Sequence, residues 1–244
     1  MKIIHSNSTS TAFNLAAEEY LFSNVLDDVL FLYVNEPSVI IGSNQVLRNE
    51  INIEFCHENN IQIFRRMSGG GAVFHDLGNL NYCFISNKLQ GKSSLDADFL
   101  FPIIDVLRSM EIPVKIGKRK DLWLPNGFKV SGTASHISKN RVLHHGTLLY
   151  DTDLNHLRNA LNVNNKDNDV KGVPSIPSPV KNISTFIEEQ NLEIYSTKYF
   201  FELFIDKFLH FYNLEHVSTF SVNEVYEIEL LEEKFKSTTW TYKK

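Results

Sequence analysis

The sequence predicts a single domain of the α+β class. Segments with the 3.6-residue periodicity of helices and segments that read as strands follow one another along all 244 residues. No internal repeat is present, and no stretch has the composition of a linker between two domains. One layered domain of helices and strands is the simplest architecture that accounts for these three observations.

The composition is that of an ordinary globular protein and argues against several classes of function. Apolar residues make up 43% of the chain and charged residues 22%, and the formal net charge of -5 gives no attraction to nucleic acid or anionic membranes. Cys56 and Cys83 have neither zinc-site nor redox spacing, which fits a reducing compartment. No secretory signal or membrane span is predicted, so we expect a cytoplasmic protein without a nucleic-acid or membrane partner.

The first half of the chain predicts one amphipathic helix followed by short strands. In residues 12–26, Phe13, Ala17 and Leu21 recur at helical spacing. Glu18 and Glu19 lie in the middle of this helix, and we expect at least one of them on a solvated face. The other predicted elements are strands at residues 29–34, 39–41, 61–64 and 80–85 and a short helix at residues 50–59.

The second half predicts more helices and one long strand-like region. The predicted elements are a helix at residues 96–110, strands within residues 114–150 with a hairpin tip at residues 138–140, a short helix at residues 153–161, an aromatic core helix at residues 195–212, a short strand near Val217 and a helix up to Phe235. Residues 162–182 contain three prolines and little periodicity. An irregular segment of this length inside a compact domain is typically functional or disordered.

The stretch Arg65–Asp76, called the glycine segment below, carries the first chemical signal. Gly69, Gly70 and Gly71 follow two arginines and a serine and lie between apolar, strand-like runs. Glycines allow a backbone to approach a ligand closely, exposed amides can bind anions, and arginine suits phosphates and carboxylates. The alternative is a glycine-rich hairpin with solvated arginines, and the glycines alone favour neither interpretation.

Lys129 is the second candidate. It lies between Phe128 and Val130 and is followed by small residues. An ammonium group at this position could bridge two anionic oxygens, such as a carboxylate and a phosphate. On these residues alone, a lysine on an exposed strand face is the more economical interpretation.

The histidines and cysteines give weaker signals. His144 and His145, with His75 and His136, could suggest zinc, but adjacent histidines on a strand point to opposite faces. A hydrogen-bonding role for one of them is therefore favoured. Cys83 could be a nucleophile with His75 or His145 as its base, but its aromatic neighbours favour an inert core thiol.

Three segments together closely resemble the lipoate-protein ligase A family and its relatives, the mitochondrial-type lipoyltransferases. They are Arg65–Asn79, Lys129–Ala134 and His144–Leu149. Further similar segments are Asn14–Glu19, which resembles the family's N-terminal helix motif, and Lys171–Gly172 with Ser175–Asn182, which resemble its adenylate-binding loop.

The resemblance implies the fold of the biotin/lipoate protein ligase catalytic domain, a mixed β-sheet with flanking helices. It also implies two steps. Lipoate and ATP, with Mg²⁺, give lipoyl-AMP and pyrophosphate, and a lysine amine of an apo lipoyl domain then attacks the acyl carbon. The implied acceptors are the lipoyl domains of 2-oxoacid dehydrogenase acyltransferase subunits and the glycine cleavage H protein.

The resemblance also implies roles for individual residues. Lys129 would be catalytic, between the carboxylate and the α-phosphate, where it would stabilise developing charge. Asp121 would lie near the adenine and ribose, and the proline-rich loop could order over the adenylate and exclude water. Arg66 and the amides from Gly71 to Phe74 would hold phosphates, Ser68 would lie near the lipoyl carboxyl, and His145 and Thr147 would line the lipoyl end. The expected binding residues are Arg66, Ser68, Gly70, Gly71, Ala72, Val73, Phe74, Asn79, Asp121, His145 and Thr147, and no protein metal site is expected.

Some positions depart from the family pattern. Met67 replaces a serine, Lys120 replaces an asparagine, and His136 stands where bacterial ligases commonly place an arginine. The segment Gly42–Val46 lacks the arginine and asparagine that usually flank its glutamine. These departures bear on affinity and acyl preference more than on the fold.

The end of the chain leaves several alternatives. Thr239–Tyr242 resembles the last motif of the catalytic domain, so residues 1–244 are expected to form a single catalytic domain without the C-terminal accessory domain. A separate polypeptide could supply that domain, the chain could use only preformed lipoyl-AMP, the domain could suffice alone, or the chain could be truncated. Two other functions are an ATP-independent octanoyl- or lipoyl-transferase, which would need a cysteine in the site, and a non-catalytic lipoate- or nucleotide-binding protein.

Overall fold

The computed structural model describes residues 1–88, 97–162 and 172–243 and contains three β-sheets with flanking helices. The strands are β1 (Lys2–His5), β2 (Val29–Val34), β3 (Ser38–Ile41), β4 (Gln62–Arg65), β5 (Val73–His75), β6 (Asn79–Asn87), β7 (Lys115–Ile116), β8 (Leu122–Trp123), β9 (Lys129–Ser131), β10 (Thr133–Ile137) and β11 (Arg141–Leu149). The helices are α1 (Thr11–Asn24), α2 (Ile53–Glu58), α3 (Phe101–Ser109), α4 (Leu154–Ala160), α5 (Ile183–Glu189), α6 (Thr197–Phe211), α7 (Val222–Lys236) and α8 (Thr238–Thr241).

The largest sheet is mixed, as the sequence predicted. Its strand order is β1-β2-β6-β11-β10, in which β1 and β2 are parallel and the other neighbours are antiparallel. Because successive side chains of a strand point to opposite faces, β6 serves two cores. Leu80 and Tyr82 pack with α3, α5 and α6, whereas Cys83 and Ile85 pack with α1 and α7. In the described part of the chain, no helix has the length and apolar character needed to cross a membrane.

The second sheet corrects the hairpin interpretation of the glycine segment. Its order is β4-β3-β5, so the strands before and after the glycines do not pair with each other but flank β3. The connection therefore crosses the end of β3, where the Ser43 amide donates to the Ser68 carbonyl at 2.8 Å. This crossing requires a glycine at position 42, because a Cβ there would lie 2.2 Å from the Gly70 carbonyl oxygen.

The C-terminal residues fasten the strand that leads into the glycine segment. The buried Arg65 donates from Nε to the Thr241 carbonyl at 3.0 Å, and the Trp240 indole donates to the Arg65 carbonyl at 2.7 Å. Arg65 also donates to the carbonyls of Gly42 and Gln45, both at 2.9 Å. One side chain thus connects α8, β4 and the turn after β3.

Most predicted elements are confirmed within a few residues, including the aromatic core helix α6 and the β10–β11 hairpin tip. Helices α5 and α8 and strands β1 and β5 were not predicted. The strand predicted near Val217 is wrong, because Ser218 forms only an isolated bridge with Ile4. The predicted helix start at Asp96, residues 163–171 of the irregular segment and the motif residue Lys171 lie outside the described residues.

Candidate functional site

A cavity of about 300 Å³ lies where the glycine segment meets β9, β10 and β11. Nine of the twelve residues that the sequence assigned to the site line it: Arg66, Gly70, Gly71, Ala72, Val73, Asp121, Lys129, His145 and Thr147. Leu15, Tyr33 and Ile40 add apolar surface. The cavity is therefore part apolar and part strongly charged, as expected for a ligand with an apolar tail and an anionic group.

The other three assigned residues do not line this cavity. Ser68 is fully buried behind it and bonds to His145. The Phe74 side chain packs in the core between the second sheet and α4. Asn79 is buried and donates to the Asn81 side chain at 2.9 Å. These residues support the cavity wall, and their assignment to ligand binding stays a prediction.

Arg66 holds the glycine segment in its shape. Its guanidinium donates to the carbonyls of Ile40 at 3.0 Å, Gly69 at 2.5 Å and Gly71 at 2.8 Å. Gly70, between the two bonded glycines, has φ of +86°, a conformation that favours glycine. Burial lowers the pKa of Arg66 to about 10, so the group stays charged at neutral pH and places a cation in the cavity wall.

The irregular segment lies against the glycine segment; residues 172–182 are called the covering segment below. The Ser175 hydroxyl accepts a hydrogen bond from the Ala72 amide at 2.9 Å and another from the Gln45 side chain at 3.0 Å. Further along, the Lys129 amide donates to the Pro179 carbonyl at 2.8 Å. Since Val173, Pro174, Ser175 and Ile176 line the cavity, this segment forms one of its walls.

One polar group, called the histidine cluster, consists of Tyr33 and His145, which line the cavity, and of Glu18 and Ser68, which are buried behind them. His145 Nδ1 lies 2.9 Å from both Glu18 oxygens, and its Nε2 lies 2.7 Å from Ser68 Oγ. The Tyr33 hydroxyl donates to Glu18 at 2.9 Å. If Nδ1–H donates to the carboxylate, Nε2 accepts from the Ser68 hydroxyl, which in turn accepts from Arg66 Nε at 2.9 Å. The chain of hydrogen bonds is complete.

The protonation of this cluster follows from its burial and its partners. Burial alone would raise the pKa of the Glu18 carboxyl, but His145 and the hydrogen bonds from His145, Tyr33 and Cys83 outweigh it, so the pKa is lowered. Burial and the Glu18 charge hold the pKa of the Cys83 thiol well above its usual range. Cys83 is therefore a protonated core thiol, consistent with the interpretation favoured from the sequence.

The zinc hypothesis gains no support from the histidine pair. His144 and His145 point to opposite faces of β11, and His144 Nδ1 lies 2.7 Å from Ser135 Oγ. Within the described ranges, the group with metal-like proximity is Glu18, Cys83 and His145, whose ligand atoms lie within 4.8 Å of one another. Because hydrogen bonds already occupy the Glu18 oxygens and the His145 nitrogens, this group is a hydrogen-bonded cluster.

His75 lines the same cavity as a neutral residue. Its Nδ1 accepts a hydrogen bond from the Asn35 side chain at 3.0 Å, and its buried Nε2 has no partner among the described residues. Burial, together with the charge of Arg66, lowers the pKa of His75 to about 3.

The second polar group, called the lysine cluster, consists of Arg119, Asp121 and Lys129. Lys129 Nζ lies 3.5 Å from Asp121 Oδ2, and an Arg119 nitrogen lies 3.6 Å from the same oxygen. Both Asp121 oxygens are buried, and neither has a hydrogen-bond partner in the described part of the chain. Burial lowers the pKa of Lys129, and the Asp121 charge opposes this shift. The lysine cluster is thus paired by charge but not saturated with hydrogen bonds.

Sequence reasoning missed Glu18 as part of the site, and it placed Ser175 in the adenylate-binding loop without its contacts to Ala72 and Gln45. Glu18 lies three residues after Leu15 and three before Leu21, which places it on the buried face of α1. A carboxylate on that face needs a buried partner, and this signal was available. Glu19, by contrast, is half-buried at the surface and pairs with Lys234 at 2.5 Å. Nothing local to Ser175 indicates its contacts, which depend on how the covering segment folds back.

Known proteins resemble this chain in sequence and in fold. Lipoate-protein ligase LplJ of Bacillus subtilis is 39% identical over 190 residues, which are 77% of this chain and 57% of that protein. The chain thus spans little more than half the length of this relative. The bi-partite lipoate protein ligase of Thermoplasma acidophilum, whose structural study includes its E2 lipoyl domain, has a TM-score of 0.82 at 25% identity, covering 99% of this chain and 95% of that one.

A second solved structure, P. falciparum LipL1 in complex with lipoate, has a TM-score of 0.78 at 26% identity, covering all of this chain and 74% of that one. The fold expected from the sequence is therefore confirmed. The family model for the lipoyl protein ligase A/B catalytic domain matches residues 10–208, most of the chain. The chain belongs to the lipoyl protein ligase A/B catalytic domain family.

Proposed function

We propose that this chain attaches lipoate to a specific lysine of apo lipoyl domains through a lipoyl-AMP intermediate. The observation that carries the proposal is the position of Lys129, which lines a partly apolar cavity together with Arg66 and Arg119. Three cationic side chains in the wall of one cavity suit a ligand that carries a carboxylate and phosphates. The lipoate in the P. falciparum relative supports the identity of the acyl group.

In the first step, a carboxylate oxygen of lipoate attacks the α-phosphorus of ATP, and pyrophosphate leaves. The Lys129 ammonium stabilises the charge that builds up on the oxygens between the two reactants. Its pKa is lowered by burial but supported by Asp121, which favours retention of the proton. Arg66 and the amides of Gly71 to Phe74 are the groups we assign to the phosphates.

In the second step, the uncharged amine of the acceptor lysine attacks the acyl carbon, an amide bond forms and AMP leaves. The same Lys129 ammonium stabilises charge on the departing phosphate. The covering segment excludes water from the mixed anhydride, since Ser175 already bonds to the Ala72 amide. Water would otherwise hydrolyse the intermediate.

Mg²⁺ accompanies nucleotide phosphates in reactions of this kind and supplies charge neutralisation there. Among the described residues, the Asp121 carboxylate could serve as a ligand for the ion, because its oxygens accept no hydrogen bond within the described ranges. Asp121 would therefore hold the ion beside the phosphates, as an alternative to the adenine and ribose contact assigned from the sequence.

The acceptors we propose are the lipoyl domains of 2-oxoacid dehydrogenase acyltransferase subunits and the glycine cleavage H protein. The E2 lipoyl domain studied with the Thermoplasma relative supports the first of these. A separate accessory-domain polypeptide is a further possible partner, since that relative is bi-partite. Burial raises the pKa of the Cys56 thiol to about 11 and, with the Glu18 charge, holds the pKa of the Cys83 thiol well above its usual range, which disfavours the thioester route of an ATP-independent transferase.

The test uses the pure chain, an apo lipoyl domain and lipoate, with either ATP or synthetic lipoyl-AMP. The expected result is an acceptor whose mass increases by one lipoyl group in both reactions, together with lipoate-dependent exchange between ATP and pyrophosphate. Modification with lipoyl-AMP alone would restrict the chain to the second step. An unmodified acceptor in both reactions would overturn the proposal.

A further inference from the structure

A concentration of positive charge lies next to the cavity on a chain that is acidic as a whole. Strand β7 and the turn that follows it, residues 115–120, carry Lys115, Lys118, Arg119 and Lys120 and no acidic residue, whereas the formal net charge of the protein is -5. We call residues 115–120 the basic turn. Four cations within six residues repel one another, so an acidic partner at this surface would be attracted to them.

Only part of this charge is used inside the cavity. Arg119 lines the cavity, pairs with Asp121 and donates to Ser178 Oγ of the covering segment at 2.7 Å. Lys115, Lys118 and Lys120 do not line the cavity, and none of them pairs with an acidic group of the described residues. Lys115 and Lys118 are exposed. A nucleotide inside the cavity would therefore leave these lysines uncompensated.

The basic turn is held in a fixed position. The Gly117 amide donates to the Asp121 carbonyl at 2.7 Å, and the Lys120 amide donates back to the Gly117 carbonyl at 3.1 Å. Thr133, a cavity residue on β10, donates from its hydroxyl to the Lys120 carbonyl at 2.7 Å. The turn is thus fastened both to itself and to the cavity wall, so the backbone that carries its charges is held beside the cavity.

We propose that the basic turn docks an acidic protein surface that surrounds the acceptor lysine. This inference rests on the proposed function, in which a protein must bring its lysine amine to Lys129. Because Arg119 and Lys129 lie 3.6 Å and 3.5 Å from the same oxygen, Asp121 Oδ2, a protein that reaches Lys129 passes within a Debye length, about 10 Å at 0.1 M salt, of the basic turn. Complementary charge at such a rim speeds association and selects partners.

The experiment measures equilibrium binding of an apo lipoyl domain of net negative charge to the full chain at 50 and 500 mM NaCl. The test variant is Lys115→Glu/Lys118→Glu, which leaves Arg119 and the backbone of Lys120 untouched. The control is Lys139→Glu/Lys198→Glu, with the same change in net charge; both residues are exposed, at the β10–β11 hairpin tip and on α6. Lipoate-dependent ATP–pyrophosphate exchange, which needs no acceptor, is measured for all three proteins.

The expected result is a Kd about tenfold higher for the test variant at 50 mM NaCl and about twofold higher at 500 mM, because salt screens exposed charges. The control variant should bind like the wild type, and exchange should be the same in all three. The docking surface would be overturned if the test variant bound the lipoyl domain as tightly as the wild type, or if the control variant lost as much affinity as the test variant. It would also be overturned if the wild-type protein bound a DNA duplex but not the lipoyl domain. If the chain bound the lipoyl domain in a salt-sensitive way but catalysed no ATP–pyrophosphate exchange, the proposed adenylation would be contradicted and the docking surface would stand.

Discussion

The two polar clusters in the cavity wall are built on opposite principles. In the histidine cluster, Glu18 is buried, and its carboxylate is satisfied by His145, Tyr33 and Cys83. In the lysine cluster, Asp121 is equally buried, but its oxygens accept no hydrogen bond from the described residues. A saturated network contributes to stability, whereas an unsaturated one is costly in the free protein and is retained where a ligand completes it. The first cluster is therefore expected to serve the fold and the second the reaction.

The largest effect should come from the lysine cluster. Lys129→Ala removes the ammonium that we place between the reacting oxygens, and we expect lipoyl transfer to fall at least about 1000-fold, equivalent to about 4 kcal/mol in activation free energy. Mass spectrometry of the acceptor, with ATP and with lipoyl-AMP, measures it. Unfolding in urea should be within about 1 kcal/mol of the wild type. A fully active variant would remove Lys129 from the mechanism.

The next effect should be on folding and should come from the histidine cluster. Glu18→Ala leaves the Tyr33 hydroxyl and His145 Nδ1 buried without their acceptor, and we expect the free energy of unfolding to fall by about 3 kcal/mol. The matched control is Glu19→Ala, which breaks only the surface pair with Lys234 and should cost less than about 1 kcal/mol. Unfolding in urea measures both variants. If they lost the same free energy of unfolding, the distinction between the buried Glu18 carboxylate and the surface Glu19 carboxylate would be contradicted.

A smaller effect should appear as a pH dependence. The pKa of His75 is about 3 in the folded protein and about 6.5 in an unfolded chain, so between these values the unfolded chain binds the extra proton. The stability contributed by neutral His75 is fully present above pH 6.5 and is lost as pH falls, by about 1.4 kcal/mol per pH unit. His75→Gln should flatten the slope of unfolding free energy between pH 6.5 and 4 by this amount. The exposed His210→Gln is the control, and an unchanged slope in His75→Gln would show that His75 is not buried as a neutral group.

The smallest effect on folding should follow Asp121→Asn. The change takes the shared counter-charge from Lys129 and Arg119, but it also removes a buried charge, and both cations keep contact with solvent, so we expect the unfolding free energy to change by less than about 1 kcal/mol. Adenylation, followed by ATP–pyrophosphate exchange, should nevertheless fall at least about tenfold, because Lys129 loses its partner. If the unfolding free energy fell by more than about 2 kcal/mol, Asp121 would stabilise the fold as Glu18 does, and the functional difference between the two clusters would be contradicted.

The limits of prediction from sequence follow from where the information lies. Helix α6 could be predicted because its aromatic residues recur within one continuous segment, and the β10–β11 hairpin because a polar break separates two strands. The pairing of both β4 and β5 with β3 could not be predicted. It depends on the crossing of the glycine segment over the end of β3, which only the contact between Gly42 and Gly70 reveals. Family-like motifs led to Lys129, Asp121 and most of the cavity wall. The bond from Ser175 to Ala72 joins segments 103 residues apart, which no local pattern encodes.

The contact between Arg65 and Thr241 has a consequence for how the protein is made. The two residues are 176 positions apart, so during synthesis Arg65 leaves the ribosome long before its carbonyl partner exists. Until then, part of the buried guanidinium lacks an acceptor, and the strand leading into the glycine segment lacks its anchor. Pairings of this range form late and slow the final stage of folding. A nascent chain should therefore complete this part of the cavity wall only after residues 237–241 have emerged from the ribosome, so their synthesis sets the earliest moment at which a ligand can bind.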